Sequence, residues 1–393
     1  MIQDRSSSAR SSRVDGIDIL RGISIFFVLM NHVHMRLFST KILYTEGMPA
    51  QLVSSLVWNG QRGVQIFFCI SGFLIASTSI RRWGSLAELS ARDFYWLRVA
   101  RIVPLFAALL GILSMLHLAG VQYFVVSEKT GGLGEALLAA LTFRVNVLEA
   151  NLGWLPPSWD ILWSLSVEEM FYFFFPIICI FWGRSKFLFI VLALFVAMGP
   201  LGRTIFAQGN EIWAEYSYLG SMDAISLGVL TALLSARVRF SRPALLWSAS
   251  IGVLLLIFIL GFSRTANLWG LKRLGLDMTI LAIGTCLIMV AAAQSRWQAP
   301  RLFYPLLKLG ERSYEIYLTH MFVILAFFAL FLRLEKPVEM VPVFFAVSIL
   351  ASMLLGELVG RYYSEPLNSL LRKGVKRKAR EHDSALPQSV VAD

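Results

Sequence analysis

The sequence predicts an all-α integral membrane protein of about ten transmembrane helices, with both termini in the cytoplasm. Three observations predict it. Of 393 residues, 57% are hydrophobic and 16% charged, with a mean hydropathy of +0.66; a soluble domain carries about 25% charged residues. The apolar positions form continuous runs that reach or approach about twenty residues, the length of a helix that crosses the hydrocarbon, rather than the alternating pattern of barrel strands. Lysine and arginine cluster between alternate runs, as they do in cytoplasmic loops.

The runs fall at 17–37, 61–81, 100–120, 160–182, 186–206, 217–236, 244–262, 274–294, 309–332 and 340–363. An even number of spans returns the chain to its starting side. Residues 1–14 are polar and rich in Ser and Arg, 15–367 form one membrane domain, and 368–393 are a basic tail; both tails are expected to be disordered. The first run starts near residue 17 and lacks a small-residue cleavage site, so no cleavable signal peptide is expected. Cys69, Cys179 and Cys286 lie inside apolar runs, which predicts buried thiols and neither a disulfide framework nor metal-ligand spacing.

The net charge of +11 could suggest nucleic acid. Its placement argues otherwise. Arg81, Arg82, Arg92, Arg98, Arg101, Arg184, Lys186, Arg237, Arg239, Arg242, Arg296, Arg301, Lys308 and the basic tail all fall on the side of the N-terminus. They serve orientation and contact with membrane lipids, and no nucleic-acid partner is expected. Arg264, Lys272 and Arg273 break the pattern on the outside, where they could meet an anionic substrate.

Two connections are longer than turns. Residues 82–97, with Trp83, Tyr95 and Trp96, read as an interfacial amphipathic helix on the cytoplasmic side. Residues 121–159 form the longest outside loop, and 133–145 within it read as a short re-entrant or surface helix. There is no convincing internal repeat, which weakens a transporter reading.

Polar residues inside the spans are costly and point to function. In the first span, DILRGISIFFVLMNHVH, Arg21 and His32 are eleven residues apart, about 20° short of whole turns and roughly 16 Å along the axis, so they share one face. His34 is turned about 200° from His32. The alternative is a snorkelling arginine and an inert interhelical histidine. In the second span, GQRGVQIFFCISGFLI, the small residues Gly63, Ser71 and Gly72 favour close helix packing. Before the third, Arg98 and Arg101 at i,i+3 are either cytoplasmic anchors or a clamp for phosphate, which guanidinium groups bind bidentately. The fourth span opens WDILWSLSVEEMFYFFFP. Ser164, Glu168 and Tyr172 share a face there, while Glu169 is rotated about 100° and could pair elsewhere. In the ninth, LGERSYEIYLTHMFV, Tyr314, Tyr317 and His320 follow at spacings of three; a core histidine is the plainer alternative. Glu365 before Pro366 marks a helix exit.

These motifs, taken in order, resemble bacterial acyltransferase family 3. LRG-x8-NH at Arg21 to His32 is similar to the family's Arg-x10-His motif. GVQIFFCISGFLI resembles its second-span signature, and R-x2-R-x2-P at Arg98, Arg101 and Pro104 its cytoplasmic arginine motif. WSLSVEEMFYFFFP, SYEIYLTH and SEP also match, and MDAISLG at 222–228 more weakly. The resemblance covers residues 15–367. It implies ten helices in a bacterial inner membrane, an acyl-CoA donor (most simply acetyl-CoA) on the cytoplasmic side, and an acceptor hydroxyl on a glycan or lipid-linked saccharide. His32 and Glu168 would be catalytic, His32 as the base. Arg21, Arg98, Arg101, Glu169, Ser166, Tyr317 and His320 would bind substrate. Acyl-CoA would be a co-substrate, with no tightly bound cofactor and no metal. Gln65 stands where the family's commonest form has Asp, so it is assigned no charge role. No second domain is expected, which leaves transfer to the membrane domain itself. The same buried His, Glu and Arg would also suit a proton-coupled transporter or flippase of a saccharide.

Overall fold

The computed structural model describes residues 14–184, 186–295, 297–335 and 338–372. The two tails lie, for all but a few residues, outside these ranges. Ten long helices match the ten predicted spans one for one: α1 Asp15–Ser39, α2 Gly60–Trp83, α3 Ala91–Leu118, α4 Leu162–Trp182, α5 Phe187–Arg203, α6 Tyr218–Arg237, α7 Arg242–Leu256, α8 Leu276–Gln294, α9 Ser313–Arg333 and α10 Val341–Val359. Nine of them lie in segments long and apolar enough to cross a membrane among the described residues, α7 because a π-helical turn continues it to Gly261; α5, at 17 residues, falls short. About 17 residues is the lower end of what a span requires. The charge pattern names the two ends of the bundle: inner, where α1 begins, and outer, where it ends.

Helices meet closely where the sequence is small. A Cβ on Gly72 of α2 would strike the Ile225 carbonyl, and one on Gly228 of α6 would strike the Cys69 carbonyl, so the two glycines let α2 and α6 cross backbone to backbone. Gly22 of α1 and Gly310 of the short helix Tyr304–Glu311 make a second such contact, against the carbonyls of Leu306 and Asp18. All three cysteines are buried free thiols.

Two local expectations are corrected. Residues 82–97 do not form a separate interfacial helix. After a single turn at Leu86–Glu88, Ser90 caps the start of α3, which runs unbroken from Ala91 through Arg98 and Arg101. Its aromatic residues bond neighbouring helices: Tyr95 Oη donates to the Phe173 carbonyl (2.6 Å) and Trp96 Nε1 to that of Leu371 (3.0 Å). The outer loop holds more structure than one short helix. Gly132–Leu141, Val145–Leu152 and Pro157–Asp160 are all helical, and a further helix, Ala50–Val57, lies between α1 and α2.

Candidate active site

α1, α2, α3, α4 and α9 enclose a cavity of about 290 Å³. Arg21 enters from α1, Ser71 from α2, Arg98 and Arg101 from α3, Ser164, Glu168, Glu169 and Tyr172 from α4, and Tyr314 and Tyr317 from α9. Six of the nine predicted site residues therefore share one wall: Arg21, Arg98, Arg101, Glu168, Glu169 and Tyr317. Glu169 lines the same cavity as Glu168 and has no ion pair among the described residues. Ser71 is not merely a packing residue. Its hydroxyl bonds Tyr172 Oη and reaches Glu168, tying α2 to α4 across the cavity.

The three arginines are held without being saturated. Arg21 Nη1 lies 3.2 Å from Asp18 one turn earlier. Arg98 stacks its guanidinium 4.1 Å from the centre of the Tyr172 ring and has no hydrogen bond or ion pair among the described residues. Arg101 lies over Tyr314 at 5.2 Å and faces Glu315 at 3.8 Å, beyond hydrogen-bonding distance. Glu315 is 1% exposed, and neither carboxylate oxygen has a hydrogen-bond partner among the described residues. Sequence reasoning passed over Glu315 in favour of its neighbours Tyr314 and Tyr317. The signal was available, since it is a carboxylate in an otherwise apolar span.

His32 and His320 lie beside this cavity rather than in its wall. Their ring centres are 5.0 Å apart, and Tyr317, which lines the cavity, is 5.8 Å from His320. His320 Nδ1 faces two carbonyls of its own helix, Tyr317 at 2.7 Å and Ile316 at 3.2 Å. A carbonyl only accepts, so Nδ1 carries a hydrogen. In the neutral ring, Nε2 is then a lone-pair acceptor, and it is buried and unpartnered among the described residues. His34 faces away as predicted, its Nδ1 2.6 Å from Tyr44 Oη and its ring against Trp58. Ser166 is apart from the cavity. It donates to the Leu162 carbonyl and accepts from the Val145 N–H (3.2 Å), anchoring the outer helix Val145–Leu152 to α4.

A family profile described as an acyltransferase domain matches residues 14–357. The chain belongs to acyltransferase family 3. Among curated relatives it is similar to the O-acetyltransferase OatA of Staphylococcus aureus strain NCTC 8325, 26% identical over 381 residues. It is also similar to the putative O-acetyltransferase SACOL0978 of strain COL, 23% identical over 398 residues. Each match takes in 92% of this chain but 58% of the relative, so the chain spans little more than half their length. No solved structure matches. Within this family member, the Arg21–His32, Arg98–Arg101, Glu168 and Tyr317–His320 motifs, scattered over 300 residues, converge on one cavity and the histidine pair beside it. The MDAISLG stretch does not. Its Asp223 sits in an ion pair elsewhere.

Proposed function

We propose that the protein is a membrane O-acyltransferase that moves an acyl group, most simply acetyl from acetyl-CoA, to a hydroxyl of a glycan or lipid-linked saccharide. One observation carries the reading: three incompletely paired guanidinium groups gather at the inner part of a cavity whose outer neighbour is a histidine pair. Arg21, Arg98 and Arg101 suit the phosphates of CoA, whose oxygens guanidinium groups can bind bidentately. Glu168, Glu169 and Tyr317 line the path of the acyl arm. The names of the relatives favour O-acetylation. The charge pattern favours the inner membrane with the donor on the cytoplasmic side.

In this mechanism the acceptor oxygen attacks the thioester carbonyl carbon and forms the new C–O bond. His32 takes the hydroxyl proton as general base, a role for which imidazole suits neutral pH. The C–S bond breaks, and the proton held on His32 passes to the leaving thiolate, giving free CoA. As His32 becomes cationic, the lone pair on His320 Nε2 can accept its second N–H, as a carboxylate does in other acyl-transfer sites.

The test uses purified protein in lipid nanodiscs with acetyl-CoA labelled in the acetyl group and surface glycan from a strain lacking the gene. Label should move to the glycan as an alkali-labile ester, with release of CoA. A transporter or flippase would release no CoA.

A further inference from the structure

Arg36 lies one turn beyond His32 on α1, at i+4 and therefore on the same face, toward the outer end. Its guanidinium has no ion pair among the described residues, and its Nε is buried without a hydrogen-bond partner. The side chain as a whole is half-buried, so its tip reaches accessible space. Asp160 and Tyr123 are the groups whose charges act on it. Asp160 Oδ1 accepts from Tyr216 Oη at 3.3 Å. The Tyr216 ring stacks on Trp163 at 3.9 Å and meets Trp154 edge-on at 5.3 Å. Trp154 itself is 54% exposed. A donor without a hydrogen-bond partner among the described residues thus stands one turn outward from His32, and the carboxylate that acts on it is linked through Tyr216 to an exposed indole.

That combination has a chemistry. A half-buried guanidinium left without a partner is costly unless a ligand completes it. A donor and an acceptor that act on each other electrostatically without forming an ion pair among the described residues can each take a hydroxyl group of one sugar, and an indole face covers the apolar C–H face of a pyranose ring. We propose that Arg36 and Asp160, flanked by Trp154, form the acceptor subsite and hold one sugar unit with a hydroxyl turned toward His32. Arg36 donates to the sugar oxygens and Asp160 accepts from a hydroxyl. Calling it the acceptor side rests on the acyl-transfer reading; the binding of sugar does not.

The probe is surface glycan from a gene-deletion strain, de-O-acetylated with alkali and titrated calorimetrically into protein in nanodiscs without acetyl-CoA. Charge-assisted hydrogen bonds are worth about 1.5–3 kcal/mol, so Arg36→Gln should weaken glycan binding roughly ten- to a hundredfold. Arg36→Lys should fall between, and the exposed position makes Trp154→Ala safe for folding. The dissociation constant for acetyl-CoA should not move in any of the three, which also reports an intact fold. Unchanged glycan binding in both Arg36→Gln and Trp154→Ala, or no glycan binding by the wild type, overturns the subsite. Parallel loss of acetyl-CoA binding would overturn it too, by placing Arg36 with the donor. Glycan binding that depends on Arg36 and Trp154, in a protein that transfers no acetyl group, would keep the subsite and remove the acyl-transfer reading.

Discussion

Two of the groups of charged residues inside this bundle are finished differently. Where α2, α5, α6 and α8 meet, Arg203 faces Asp223 with Nη2 to Oδ2 at 2.7 Å and Nη1 to Oδ1 at 3.1 Å. Thr279 Oγ1 donates to Oδ2 at 2.6 Å, Gln65 Nε2 donates to Oδ1 at 3.0 Å, and Arg203 also donates to the Gly275 carbonyl. Asp223 is fully buried and needs nothing more. At the cavity, Arg98 stacks on aromatic faces with Glu168 and Glu169 nearby, and among the described residues Glu169 Oε1 and, behind the wall, both Glu315 oxygens are buried without a hydrogen-bond partner. The same side-chain types therefore carry opposite meanings. A saturated pair holds helices together, whereas a cluster left incompletely paired keeps hydrogen-bonding capacity that a ligand could use.

The contrast can be broken first at His32. General-base catalysis is typically worth 10²–10⁴-fold, so His32→Gln should lose about that much turnover while inserting and folding like the wild type. His34→Ala, whose ring packs against Phe38, Tyr44 and Trp58, should keep most activity. A His32→Gln protein that unfolds would erase the distinction between the two groups.

Arg203→Ala is the complementary test. It leaves the Asp223 carboxylate buried and unpaired, which costs about 3–5 kcal/mol, so a large fall in thermal stability in detergent is expected. Asp223→Asn should be milder, because the amide can still accept from Thr279 and Gln65. Retained stability with lost transfer in Arg203→Ala would move that pair to the functional side.

A smaller effect is expected at the open cluster. Arg98→Lys keeps the charge but loses the bidentate fork, and acetyl-CoA affinity should drop roughly ten- to a hundredfold with no change in melting temperature. An unchanged dissociation constant would make Arg98 a membrane anchor.

The ten spans were legible because length and apolarity alone define a span, and even the short α5 was found. Residues 82–97 were misread because an aromatic amphipathic stretch looks the same whether it lies flat on the membrane or begins a helix that enters it; the Ser90 cap decides. One-helix geometry correctly set His32 apart from His34. It could not place Ser166, whose partner Val145 belongs to an outer helix, or bring Glu169 into the cavity, because cavity width depends on five helices at once. Gln65, assigned no charge role, gave no hint of Asp223, which is 158 positions away. Arg203, Asp223 and Thr279 come from three different helices, and spacing within one helix carries no trace of such a meeting.

Glu149 is the residue most able to blur the comparison. It lies in the outer helix Val145–Leu152, is fully buried, and has one unpaired oxygen, yet the other accepts the Leu155 N–H at 3.0 Å and its carboxyl bonds Asp160. A bond between two carboxyl groups requires a shared proton, so here the missing partner is a hydrogen and not a ligand. Burial, reinforced by Asp160, pushes the Glu149 carboxyl well above the usual carboxylate range. Below the ordinary carboxylate value both folded and unfolded segments are protonated, and the anchor has its full strength. As pH rises past that value, the unfolded segment releases its proton while the folded one keeps it. Stability is therefore lost up to the raised folded value. Hydrogen exchange across residues 145–155, corrected for intrinsic rates, should show less protection near pH 8 than near pH 5.5, falling by up to about tenfold (about 1.4 kcal/mol) for each pH unit below the raised value. Glu149→Gln keeps an acceptor for Leu155 and a donor for Asp160 but cannot ionise, so its protection should be flat across that range. If the wild type is equally flat, no proton is shared, and the unpaired oxygen of Glu149 belongs with the open cluster after all.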